Sequence, residues 1–195
     1  MSLVSPEIAL MVSPRKTYAA LVQRRQAVSV LTALRRPLLV AIVIGVSVSI
    51  ASTGRATPAL IVSATVTWSY IVVLQLAIAM AVIARPARRT VGLARALDLF
   101  FAGHAPWSLF LLAVANWPSM PGGPPWWLLP LSIAIPVMLT IRIVAAFGAE
   151  VLGLSPRDAW KMTVVHQGIT CAVAVVLIAV SSSLTPRVLD LLGLA

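Results

Sequence analysis

The chain has 195 residues, 60% of them hydrophobic and only 10% charged. Soluble domains carry about 25% charged residues, so this composition leaves no room for a sizeable soluble domain and points to an integral membrane protein. Fifteen Lys and Arg against five Asp and Glu give a formal charge of +10, but aromatic-interleaved basic patches are missing and the charges fall between apolar runs, so no nucleic-acid partner is expected.

The N-terminal 36 residues carry Arg15, Lys16, Arg24, Arg25, Arg35 and Arg36, too long and too charged at the far end for an ordinary cleaved signal. Within them "TYAALVQRRQAVSVLTALRR", residues 17–36, reads as a basic helix. Its apolar side chains do not gather cleanly, because Leu21 and Val28 flank the sector of Arg25. A helix lying on an anionic leaflet is expected, with a solvated tail as the alternative.

Five apolar segments follow, near 37–53, 59–84, 98–117, 126–148 and 162–182, each long enough to cross the roughly 30 Å of hydrocarbon. The first opens "RRPLLVAIVIG", with Pro37 expected in the first turn, where proline is tolerated. The second runs from Pro58 to Pro86. In the third, "ALDLFFAGHAPWSLFLLAVANW", Gly103 and Pro106 predict a kink, and Pro136 predicts another in the fourth. Cys171 lies inside the fifth as a small buried side chain. The chain therefore divides into a basic cytoplasmic segment, 1–36, and an all-α polytopic bundle of five transmembrane helices, 37–195.

Charge fixes the expected orientation. The N-terminal segment, the loop with Arg85, Arg88, Arg89 and Arg95, and the loop with Arg157 and Lys161 hold twelve basic residues; the opposite side holds two, Arg55 and Arg187. This predicts a cytoplasmic N-terminus and an external C-terminus, with Arg24, Arg25, Arg35, Arg36, Arg88 and Arg89 at the membrane surface. The uncharged turn "WPSMPGGPPWW" puts Trp117, Trp126 and Trp127 in an aromatic belt at the outer interface. In "LSPRDAW", Ser155, Pro156 and Asp158 form a capping-box-like start to the last helix.

Ionisable groups inside spans are costly and need a partner or a purpose. With this topology Asp98, His104, Arg142, Glu150 and His166 all fall in one cytoplasmic-side layer, and a polar cluster between spans three, four and five is expected. It reads most simply as a hydrogen-bonded clasp, or with Arg142 snorkelling to headgroups; a half-access proton site is the functional alternative. Arg142 opposes a cation and no HxxxH or ExxH spacing occurs, so no metal is expected. GxSxG, GxxxxGK and GxGxxG are absent, paired haem ligands are not evident, and neither a cofactor nor catalytic residues are expected.

The basic N-terminal segment, the five-span layout, "ALRRPLLVAIVIG" and the late "VLGLSPRDAWKMTVVHQ" resemble the bacterial branch of the Yip-domain family of small multi-pass proteins. The resemblance covers most of residues 25–182. Eukaryotic members are associated with vesicle traffic, Rab-type GTPases and curved membrane; their "DLYGP"-type motif is not found here, so no functional residue carries across. The resemblance implies a non-catalytic protein of the bacterial inner membrane that acts in membrane organisation or lateral association, its partners being the bilayer and other membrane proteins or itself. The alternatives are an accessory subunit of a larger membrane complex and a small proton-coupled carrier.

Overall fold

A computed structural model describes residues 5–24, 27–115 and 128–191, the side chains of 114–115, 129–130 and 174–191 excepted. Among the described residues it contains eight helices and no strand: α1 Pro6–Val12, α2 Pro14–Gln23, α3 Val30–Thr53, α4 Pro58–Arg89, α5 Leu93–Ala102, α6 Ala105–Ala115, α7 Leu128–Glu150 and α8 Pro156–Leu191. Val30–Thr53, Pro58–Arg89 and Leu131–Glu150 are long and apolar enough to cross a membrane, and α5 with α6, bent by 46°, makes a fourth such unit. That is the make-up of a helical membrane protein.

The first span starts earlier than expected. Ser29 accepts a hydrogen bond from the Thr32 amide at 3.1 Å, an N-cap that begins α3 at Val30 and puts Pro37 in the helix interior. Arg35 and Arg36 thus belong to the spanning helix itself. Gly54, with φ 70°, ends α3 in the left-handed conformation that costs glycine least. The buried Ser49 hydroxyl bridges the turn, accepting from the Thr57 amide at 2.9 Å and donating to the Arg55 carbonyl at 3.1 Å. At Gly45 the two helices cross so closely that a Cβ would lie 2.8 Å from the Ile61 carbonyl oxygen. α4 passes through Pro86 and stops at Arg89.

The third span breaks where glycine and proline predict a kink. Gly103 and His104 form a turn between α5 and α6, closed by His104 N–H donating to Phe101 O at 3.1 Å, and Pro106 has no N–H to continue the α5 ladder. At Pro136 the helix does not break, the residue lying buried inside α7. The last helix opens as expected, with Ser155 accepting from the Asp158 amide at 3.2 Å and donating to its carboxylate at 2.7 Å.

The N-terminal segment is folded into the bundle. The sequence suggests one helix over 17–36, whereas α2 ends at Gln23 and α3 begins separately. Leu10 on α1 and Tyr18 on α2 are fully buried in the same core as Leu97, Phe100, Ile143 and Phe147. Burial of side chains this size contributes about 1.5–3 kcal/mol each, enough to hold a short helix in place that would be marginal alone.

Candidate functional site

The ionisable and aromatic groups of α1, α2, α3, α5, α7 and α8 meet in two adjoining layers. The outer one is a charge clasp centred on Asp98, whose side chain is 7% exposed. One carboxylate oxygen pairs with Arg36 Nη1; the other accepts from Arg95 Nη1, one helical turn away, at 3.1 Å. Arg36 then donates Nε to Glu7 Oε1 at 2.9 Å, while Arg95 donates Nη2 to the Leu21 carbonyl at 2.9 Å. Arg95 thus caps the carbonyl end of α2 as Arg36 anchors α1, and two acids and two arginines join four helices. Burial pushes the Glu7 carboxyl up, but its hydrogen bonds with Arg36, its own backbone amide and Ser5, together with the arginine's charge, outweigh that and hold it below the usual 4.5.

The inner layer is aromatic. Phe100 packs edge-on to Phe147 at 5.6 Å between ring centroids, Phe147 likewise to Tyr18 at 5.6 Å, and Phe100 also touches His104 at 4.4 Å and His166 at 5.4 Å. The imidazoles of His104 and His166 are T-shaped neighbours 5.6 Å apart. His104 Nδ1 lies 2.9 Å from the Phe100 carbonyl oxygen; a carbonyl only accepts, so we assign a proton to Nδ1. His166 Nδ1 is buried with no hydrogen-bond partner among the described residues, as are the side-chain amide atoms of Gln167. Tyr18 Oη donates to the Leu99 carbonyl at 3.3 Å, and burial, against the opposing charge of Arg36, pushes its ionisation well above the ordinary range. A cavity of about 330 Å³ joins the layers, bounded by Glu7, Arg36, Gln75, His104 and Ser108 among apolar walls.

The five residues expected in one cluster therefore occupy four places. His104 and His166 meet, as the shared depth implies. Asp98 is in the adjoining clasp, with Arg36 and Arg95 in the role expected of Arg142. Arg142 and Glu150 are exposed: Arg142 is one residue, or about 100° of helical rotation, from buried Ile143 and so faces away from the imidazoles. Of the expected surface arginines, Arg24, Arg35, Arg88 and Arg89 are exposed, while Arg36 is drawn into the clasp. Arg25, Trp117, Trp126 and Trp127 lie outside the described residues.

Sequence reasoning passed over Glu7 and Tyr18. In a chain with only five acidic residues, a glutamate just after a Ser-Pro helix start was the available signal for Glu7. Among the described residues no group of three or more His, Cys, Asp and Glu is placed to hold a metal ion; two imidazoles alone fall short of the usual ligand count. Comparison with protein-family models, curated proteins and solved structures gave no match.

Proposed function

We propose that the chain is a non-catalytic membrane protein with five spans, a cytoplasmic N-terminus and an external C-terminus, acting through lateral association in a bacterial inner membrane as a membrane organiser of the Yip-like kind. The observation that supports it is an apolar stripe on the outer faces of the α3–α4 hairpin. Leu31, Leu38 and Ile42 on α3 and Val62, Val66, Tyr70 and Val73 on α4 are exposed, at spacings of three, four or seven residues that keep each set on one helix face. An accessory subunit of a larger complex would use the same stripe.

The test is cysteine crosslinking in native membranes, in a Cys171→Ala background. Cysteines replacing Leu38 or Val66 should give one discrete adduct, a homodimer for the organiser or a heteromer for the subunit, whereas a cysteine replacing the buried Ile83 should give none. A chain that stays monomeric from every stripe position would sink the reading. Reporters at the two termini test the topology, which fails if both lie on one side.

A second reading, a small proton-coupled carrier, is favoured by the cavity that links the Glu7–Arg36 pair to His104. It predicts pH-driven solute flux in liposomes that His104→Ala abolishes without loss of fold; absence of flux for wild type across a solute panel would exclude it.

A further inference from the structure

A second polar site lies away from the clasp. The turn between α1 and α2, the middle of α7 and the first turns of α8 enclose an open recess of about 510 Å³. Arg15, Lys16 and Arg142 line it, with Trp160 at one side and an apolar floor of Ile141, Ala145 and Ala146. No carboxylate lines it, and none of the three cations is paired among the described residues. Among the acids whose side chains are described, Glu7 is committed to Arg36, Asp98 to Arg36 and Arg95, and Asp158 to Lys161. Glu150 is eight residues beyond Arg142, about 12 Å along the helix.

Three like charges around one recess repel each other, and more strongly beside hydrocarbon than in water. An arginine this far inside a spanning helix also needs a counter-charge or a route to headgroups. A phosphate satisfies both, since guanidinium forks and an ammonium are its natural ligands. The form of the recess narrows the source. Its cationic mouth combines an apolar floor with an indole that is 54% exposed, and tryptophan favours the headgroup level. We propose that this recess binds the headgroup of an anionic phospholipid, with Arg15, Lys16 and Arg142 on the phosphate, Trp160 against the glycerol region and the acyl chain along Ile141 and Ala145.

The test uses the full chain in a zwitterionic detergent, with bound lipid read by native mass spectrometry. Phosphatidylglycerol should be retained at about one molecule per chain and phosphatidylcholine should not. The Arg15→Gln, Lys16→Gln, Arg142→Gln triple variant should bind phosphatidylglycerol about tenfold or more weakly. The Arg24→Gln, Arg88→Gln, Arg89→Gln control, with the same loss of charge from exposed sites, should lose less than about twofold. Equal losses in the two triples overturn the site in favour of a diffuse basic surface. Competition by glycerol 3-phosphate at the concentration of the lipid overturns the lipid assignment in favour of a soluble phosphate. Should the first triple lose helicity, the wild type still decides: phosphatidylglycerol with brominated acyl chains must quench more fluorescence in it than in Trp160→Phe, and equal quenching overturns the proposal.

Discussion

Asp98→Asn is the sharpest probe of the clasp, because it changes one charge and almost no volume. It leaves Arg36 and Arg95, with side chains 22% and 12% exposed, without the carboxylate they share. Removing one partner of a buried ion pair costs about 3–5 kcal/mol; Arg36 keeps Glu7 and Arg95 keeps the Leu21 carbonyl, so the low end, about 3 kcal/mol, is expected. Arg36→Met removes the other side. Asp98 then retains Arg95, and the cost is that of a charged hydrogen bond, about 1.5–3 kcal/mol. If the two groups act on each other, the double variant should be more stable than the two single losses imply by at least about 1 kcal/mol. Arg35→Met, at the exposed neighbouring position, should change stability by less than about 0.5 kcal/mol. The assay is equilibrium unfolding in mixed micelles, titrated with dodecyl sulfate and followed by circular dichroism. Costs that add within about 0.5 kcal/mol would show that Arg36 and Asp98 are independent and that the clasp does not hold α3 to α5.

Gly103→Ala should lower the melting temperature, since its Cβ would meet the Tyr18 hydroxyl and lie 2.7 Å from Ile143 Cγ2, an overpacking worth about 1–3 kcal/mol; adding Tyr18→Phe should restore part of it, and no restoration would refute the contact. Gly45→Ala should cost a similar amount, about 1–3 kcal/mol, because the Ile61 carbonyl oxygen would lie 2.8 Å away and is backbone; a thermal melt unchanged from wild type would show that α3 and α4 do not cross this closely. Because the Glu7 carboxyl is held below its usual 4.5, its stabilising effect is complete above that value and is lost as pH falls through the lowered one. The hydrogen-exchange protection factor of α1, corrected for the intrinsic rate at each pH, should therefore fall below about pH 4.5 in wild type, while in Glu7→Gln it is already low and does not change there; an acid transition persisting in Glu7→Gln would assign it to another group.

What could be read from the amino-acid string is whatever is local. Three of the spans and the bent fourth are legible in hydropathy because about twenty residues of one helix decide it, the Ser155–Asp158 cap because four residues do, and the break at Gly103 because glycine and proline act on their own turn. The Arg36–Asp98 pair spans 62 positions and has no local trace. An arginine at the start of a span is equally compatible with snorkelling to headgroups, and only the third dimension chooses. The N-terminal segment was obscured by its charges. Arg15, Lys16 and Arg24 read locally as topology signals, but the buried Leu10, ahead of them, and Tyr18, among them, decide that α1 and α2 join the core.

The division of the expected cluster follows from the geometry of a helix. Topology and a rise of 1.5 Å per residue assign each side chain a depth, and on depth alone Asp98, His104, Arg142, Glu150 and His166 belong together. Depth is one of two coordinates; the other is the direction around the helix, which changes by about 100° per residue and is set by what the neighbouring helices bury. On α7 the buried direction belongs to Ile143 and Phe147, through which the helix meets the aromatic layer, so Arg142 is turned toward Arg15, Lys16 and Trp160. Its charge is then the wrong sign for its surroundings, unlike that of Arg36, which meets two acids. The clasp balances its charge internally, whereas no carboxylate lines the recess at Arg142, and it is there that the proposed anionic headgroup would add the opposite charge.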